Sequence, residues 1–158
     1  MRTVITGGAG FIGLNLSQHI AARSNPSDEI ILVDTTERHG QNAELVHLLS
    51  SPKVHLIQAD LTLPSSLNRI PTPVDRVYHL AARVGVGPVC AAPAEVLRTN
   101  TLSTLNVFDW FANHSSPGAG LLFTSTSEVY GGAALSGFEI PVPTPEAVPL
   151  VISDLDNP

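Results

Sequence analysis

The sequence predicts an α/β fold: a Rossmann-like, doubly wound parallel sheet that stops after about its fifth strand. Three observations carry that expectation. Short apolar runs alternate with helix-like stretches over the first 126 residues. A glycine cluster, TGGAGFIG (Thr6–Gly13), directly follows the first run. Acidic residues, Asp34 and Asp60, close the second and third runs. Parallel strands joined by helices are buried on both faces, so they read as unbroken apolar runs rather than as alternating patterns.

Taken in order, Thr3–Thr6 reads as the first strand and Phe11–Arg23 as a helix entered from the glycine turn. Glu29–Asp34 (EIILVD) is a second strand, rich in Ile and Val. Asn42–Ser50 follows as a helix with Leu45, Leu48 and Leu49 on one face. Val54–Ala59 is the third strand, Pro64–Arg69 a short helical turn and Asp75–Leu80 the fourth strand. Gly85–Pro88 reads as a loop. Ala94–Asn113 is the longest helix, with Leu97, Leu105, Phe108 and Phe111 recurring on one side. Gly120–Thr124 is the fifth strand. Beyond Tyr130 the chain becomes rich in Pro and Gly, and no further helix is expected; Pro149–Ile152 reads as a brief extended piece. The expected organisation is a cofactor-binding domain over 1–131 and a loop segment over 132–158.

Hydrophobic residues make up 43% of the 158 and charged residues 14%, which excludes a disordered acidic tail. Eight Lys and Arg against 14 Asp and Glu give a net charge of −6, so nucleic acid is not an expected partner. Any phosphate must then be held by backbone amides and helix ends. The single cysteine, Cys90, excludes an intrachain disulfide, and the scattered histidines (His19, His39, His47, His55, His79, His114) lack ligand spacing, so no metal is expected. His79, at a strand end, reads as structural. No apolar run approaches the roughly 18 residues of a membrane span. Four glycines within seven residues interrupt any signal-peptide core, and a cytoplasmic setting is expected.

Gly7, Gly10 and Gly13 are spaced G-x-x-G-x-x-G between a strand and a helix. Gly7 permits the sharp turn, Gly10 lets backbone amides approach a pyrophosphate, and Gly13 lets the helix pack closely on the sheet. The helix start, with Phe11 and Ile12 beside Gly10, offers free N–H groups and a partial positive charge to an anion. Asp34, 21 residues beyond Gly13, is placed to accept from a ribose diol. Asp60 is placed to meet an adenine amino group. A tight turn with incidental glycines is the competing reading. The carboxylate of Asp34 repels a 2′-phosphate and so favours NAD over NADP, a preference that nearby Arg38 softens.

TGGAGFIG, Asp34, Asp60-Leu61, YHLAA (Tyr78–Ala82), Asn100 and STSEVYG (Ser125–Gly131) together resemble the extended short-chain dehydrogenase/reductase family of nucleotide-sugar epimerases, dehydratases and decarboxylases. The likeness runs in order from Arg2 to about Gly131. It implies NAD as cofactor and a nucleotide sugar as substrate of the full-length parent, which acts through a 4-keto intermediate. It implies further that Leu61, Leu80, Ala81 and Ala82 line the cofactor trough. Asn100 would support the active-site hydrogen bonds, against the plainer reading of a polar residue on a surface helix. By the same resemblance Thr126 bonds the sugar 4-hydroxyl and Ser127 orients the substrate. Glu128 would serve as acid or base, unless it is a solvated loop acid. The family also commonly dimerises through the long helix.

One family feature does not occur in these 158 residues. The family's catalytic pair is a Tyr-x-x-x-Lys, in which lysine lowers the phenol pKa so that tyrosinate can take the hydroxyl proton. Here the tyrosines are Tyr78 and Tyr130, followed four places on by Ala82 and Ala134, and the one lysine is Lys53. The expectation is a cofactor-binding N-terminal part, arising by truncation, proteolysis or a shortened gene, and inactive alone. A non-catalytic NAD-binding sensor or scaffold is the alternative.

Overall fold

Strands β1 (Arg2–Thr6), β2 (Glu29–Asp34), β3 (Val54–Gln58), β4 (Val74–His79) and β5 (Ser115–Phe123) form one parallel sheet in the order β3-β2-β1-β4-β5. The computed structural model describes residues 1–35 and 42–151, apart from the side chains of Ser127 and Glu128; Arg38 lies outside the described residues. The helices are α1 (Phe11–Arg23), α2 (Ala43–Leu49), α3 (Val86–Ala91), α4 (Pro93–His114) and α5 (Gly131–Leu135). The chain adds strands outward from β1 to β3, then crosses back to place β4 on the other side of β1. That reversal leaves a crevice beyond the carboxyl ends of β1 and β4, where ligands of such sheets lie.

Two cores follow from the two-residue period of the strands. Val4, Ile31, Val33 and Val77 pack with Val107 and Trp110 of α4, with Leu67 of the Pro64–Arg69 turn and with Ile70 just after it. Ile5, Ile30 and Leu32 pack on the other face with Leu14 of α1 and with Leu45 and Leu48 of α2. Successive residues of EIILVD thus serve opposite cores, which is why that strand reads as continuously apolar. Asn42 caps α2, its side chain accepting from the amides of Glu44 and Leu45 at 3.0 and 3.1 Å.

Four expectations are corrected. The buried stripe of α4 is Val96, Ser103, Val107 and Trp110; of the expected residues Phe111 packs against the core, whereas Leu97 is 70% and Leu105 53% exposed and Phe108 is also exposed. The helix carries two apolar stripes, and the small Ser103 disguises the one that meets the sheet. Gly85–Pro88, expected as a loop, leads into α3: Gly85 takes φ 110° before the helix, and Pro88 sits in the first turn, where no N–H is needed. β5 starts at Ser115, five residues earlier than expected, because an edge strand tolerates Pro117 and Gly118 and the ladder shifts register between Val74 and Arg76. Helix α5 was hidden by its two leading glycines, which are poor helix formers.

The chain divides into two compact units, Met1–Phe123 and Thr124–Pro158. The first holds the whole sheet with α1 to α4. Among its described residues the second has a 3₁₀ turn, Ser127–Tyr130, then α5 and a run of turns and bends. Helix α5 ends at Gly137 (φ +81°), whose amide bonds the Ala134 carbonyl at 3.1 Å. The expected extended piece shows no strand over 149–151.

Candidate cofactor-binding site

The site is built where β1 ends. Gly7 adopts φ +67°, and its amide bonds the Val33 carbonyl at 2.8 Å. A Cβ on Gly7 would lie 2.9 Å from the Ala81 nitrogen, so the turn and the end of β4 meet backbone to backbone. A Cβ on Gly13 would lie 2.2 Å from the Gly7 carbonyl oxygen and 2.8 Å from the Gly8 Cα. Gly13 therefore admits the glycine turn itself beneath α1, rather than the sheet as the spacing suggests. Gly8, given no role by the spacing, is equally constrained: its Cβ would meet the Leu32 Cβ at 2.8 Å. A Cβ on Gly10 would lie 3.2 Å from the Gly7 carbonyl oxygen, a tight contact, though a milder one than those at Gly7, Gly8 and Gly13.

Helix α1 starts at Gly10 with no side-chain cap and no acidic residue in its first turn. Its first-turn amides and the positive end of its dipole are thus left to an outside anion. Phe11 and Ile12 leave their side chains 86% and 66% exposed there.

A cleft runs over the ends of β1, β2, β3 and β4, lined by Gly7, Val33, Asp34, Thr35, Ala59, Asp60, Leu61, Thr62, Ala81, Ala82, Thr99, Asn100 and Ser103. Asp34 accepts the Ala9 amide at 3.0 Å, tying the glycine turn to β2. Asp60 accepts from the Thr62 amide at 2.9 Å and from its hydroxyl at 2.7 Å, which fixes the turn after β3. The Leu61 side chain is buried in the core, and its carbonyl accepts from Asn106 of α4 at 2.8 Å. Leu80 packs with the core under α1 and α2 and is absent from the cleft lining, which Ala81 and Ala82 supply. Asn100 grips the loop after β4 twice: it accepts from the Arg83 amide at 2.7 Å and donates to the Arg83 carbonyl at 3.0 Å.

Beneath this floor lies His79, 1% exposed, with Nδ1 2.7 Å from the Thr6 hydroxyl and Nε2 3.1 Å from the Thr104 hydroxyl. Burial holds its pKa down at about 4, so the ring is neutral at neutral pH. Its partners were not legible in the sequence, since Thr6 and Thr104 are ordinary residues 73 and 25 positions away.

Thr126, Ser127 and Glu128 belong to the second unit. Thr126 is exposed and engaged in an interaction, Ser127 opens the 3₁₀ turn, and the side chains of Ser127 and Glu128 lie outside the described residues. Among the described residues no group of His, Cys, Asp and Glu is arranged to hold a metal. No helix among them is long and apolar enough to cross a membrane.

The family model of GDP-mannose 4,6 dehydratase matches residues 4–148. The chain belongs to that family, within the extended short-chain dehydrogenase/reductases. It is 38% identical over 131 residues to UDP-glucuronic acid decarboxylase 1 of Arabidopsis thaliana, covering 83% of this chain and 27% of the relative. It is 33% identical over 135 residues to dTDP-glucose 4,6-dehydratase of Mycobacterium tuberculosis, covering 85% and 39%. In structure it is similar to the dTDP-glucose 4,6-dehydratase DesIV of Streptomyces venezuelae, a double mutant solved with NAD bound. The TM-score is 0.71 at 29% identity, over 82% of this chain and 41% of that one. The UDP-glucose 4-epimerase of Bifidobacterium longum, solved with NAD+ and UDP, gives a TM-score of 0.67 at 25% identity, over 84% and 39%. This member of the family thus spans between about a quarter and two-fifths of the length of these relatives.

Proposed function

We propose that this chain is the NAD-binding, N-terminal part of an enzyme that remodels the sugar of a nucleotide sugar as a dehydratase, decarboxylase or epimerase. The observation that carries the reading is the cleft at the strand-order reversal. There Gly7, Asp34, Asp60 and Ala81 line one cleft, and the glycine turn that begins at Gly7 leads into the uncapped start of α1. The residues fit a dinucleotide: first-turn amides of α1 for the pyrophosphate, Asp34 for the ribose diol, and Asp60 with the Leu61 backbone for the adenine end. NAD, when bound, supplies a reversible hydride acceptor. Thr126 polarises the sugar 4-hydroxyl, Ser127 orients the sugar, and Glu128 exchanges a proton during elimination or decarboxylation. The setting is cytoplasmic. The exposed stripe of Leu97, Leu105 and Phe108 on α4 supports a homodimer through that helix, which sedimentation at rising concentration would reveal or refute.

Titration calorimetry is expected to show NAD bound at least about tenfold more tightly than NADP, because an added phosphate meets Asp34. Asp34→Asn keeps an acceptor for the Ala9 amide and is expected to narrow that ratio. Equal affinities in the unaltered chain would remove the Asp34 assignment.

Alone, the 158 residues are expected not to convert a UDP-, dTDP- or GDP-sugar with NAD supplied. They contain no Tyr-x-x-x-Lys, and a threonine hydroxyl has no depressed pKa with which to take a sugar proton. Mass spectrometry of the incubated sugars measures this, and robust product would refute it. A longer form carrying the pair and regaining turnover would decide for the enzyme.

A further inference from the structure

The floor of the cleft is held from below by a chain of side chains that does not itself touch the crevice. Thr6 Oγ1 accepts from two amides, Leu80 and Ala81, each at 3.2 Å. The Leu80 amide is shared with the Thr6 carbonyl, also at 3.2 Å, whereas the Ala81 amide goes to Oγ1. With its lone pairs turned to these amides, the hydroxyl directs its proton to Nδ1 of His79 at 2.7 Å. Nδ1 is therefore the acceptor, and the neutral ring carries its proton on Nε2. That proton is donated to Thr104 Oγ1, 3.1 Å away on α4. Thr104 stands one helical turn beyond Asn100, which grips the Arg83 backbone. The ring is wedged in place by Phe123, stacked at 5.8 Å, and by Phe108 edge-on at 6.5 Å. The result is a continuous line from α4 through β4 to β1.

What the line controls is a spacing. A Cβ on Gly7 would lie 2.9 Å from the Ala81 nitrogen, and both residues line the cleft. The Ala81 amide is held by the Thr6 hydroxyl. Were the imidazole to take the other tautomer, Nδ1–H would point at Thr6 Oγ1. Nδ1–H would then compete with both amides for the hydroxyl oxygen. The Leu80 amide keeps the Thr6 carbonyl as an acceptor, but the hold on the Ala81 amide, and with it the spacing of Ala81 from the glycine turn, would loosen.

We propose that His79 and Thr104 are positioning residues for the dinucleotide: Thr104 selects the Nε2-protonated tautomer of His79, which through Thr6 sets the distance between the glycine turn and Ala81. The inference rests on the NAD-binding reading above. Neither residue contacts the cofactor in this assignment; both act through Thr6 and the backbone.

The test uses the 158-residue chain, nitrogen-15-labelled at histidine, with the His79 signal assigned by its loss in His79→Gln. The ring nitrogens are expected to show one protonated Nε2 and one hydrogen-bonded, unprotonated Nδ1. Thr104→Val, which keeps the shape and removes the acceptor, is expected to mix the tautomers. It should weaken NAD affinity about 5- to 10-fold, the worth of one buried hydrogen bond. Thr104→Ser restores the acceptor and is expected to return both the spectrum and the affinity to within about twofold. A Thr104→Val chain that has lost its dispersed amide spectrum is replaced by Thr104→Ala, read against the same serine rescue.

A merely structural Thr104 would lower the melting temperature of the valine variant while leaving NAD affinity and the His79 spectrum unchanged. That outcome overturns the proposal. So does an Nδ1-protonated ring in the unaltered chain that nevertheless binds NAD. A chain that shows the expected tautomer but binds no NAD overturns the functional reading and removes the positioning role with it, so the two failures are told apart.

Discussion

Gly13→Ala is expected to destabilise the protein by about 3 kcal/mol or more, the upper range for forcing atoms into a filled space. The added methyl would sit 2.2 Å from the Gly7 oxygen, 2.8 Å from the Gly8 Cα and 2.9 Å from the Gly7 carbonyl carbon. All three are backbone atoms, so no side chain can swing away. The turn has little room to retreat: the Cβ position of Gly7 is closed off by Leu80 and Ala81, and that of Gly8 by Leu32 and Ile5. Relief must come from moving α1 or opening the turn, and either change displaces the uncapped first-turn amides of α1. Against a total stability of about 5–15 kcal/mol for a domain this size, that loss is large. Urea denaturation measures it, with Gly87→Ala as the control. Gly87 lies inside α3 with nothing within 4 Å of its Cβ, so alanine there is expected to be neutral or stabilising by up to about 1 kcal/mol. A Gly13→Ala chain as stable as the control would refute this packing of the turn. By the functional reading, NAD binding should fall below detection in the same variant.

Acid is expected to weaken the fold well before its carboxylates are titrated. His79 keeps a pKa of about 4 in the folded chain because burial penalises its charged form, whereas an exposed histidine titrates near 6.5. Above pH 6.5 both states hold the ring neutral, and its burial costs nothing in protonation. As pH falls from 6.5 towards 4 the unfolded chain gains a proton that the folded chain does not. Stability is lost progressively across that window, by about 3 kcal/mol in all. Two carboxylates contribute below it. Asp28, bonded to the Met1 ammonium at 2.8 Å, and Asp75, accepting the Arg2 amide at 2.6 Å, are both held below the ordinary 3.8. Their stabilisation is lost only as pH drops through that lower range. Unfolding free energies at half-unit steps from pH 7.5 to 4 measure the effect, and His79→Gln should flatten the slope between 6.5 and 4. An equal slope in both proteins would place the acid sensitivity elsewhere.

The glycine cluster and the strand–helix alternation were legible in the sequence because each depends on neighbours in the chain. A left-handed φ at Gly7 and an unbroken apolar run in EIILVD are local consequences of missing Cβ atoms and of burial on two faces. From these the parallel sheet, the acidic ends of β2 and β3 and the place of the crevice all follow. The sequence by itself therefore determined the fold class and the family. The face of α4 was a different matter, since Leu97, Leu105 and Phe108 form as good a stripe as Val96, Val107 and Trp110. Which stripe meets the sheet is decided by how the helix packs, and the pattern along the chain carries no record of it. The same holds for Gly8, whose need to be glycine comes from Leu32 on another strand. It holds also for Thr6, His79 and Thr104, brought from β1, β4 and α4 into one hydrogen-bonded line. Those relations join residues distant in the chain, and only the tertiary structure, by setting strand order and helix rotation, brought them within bonding distance.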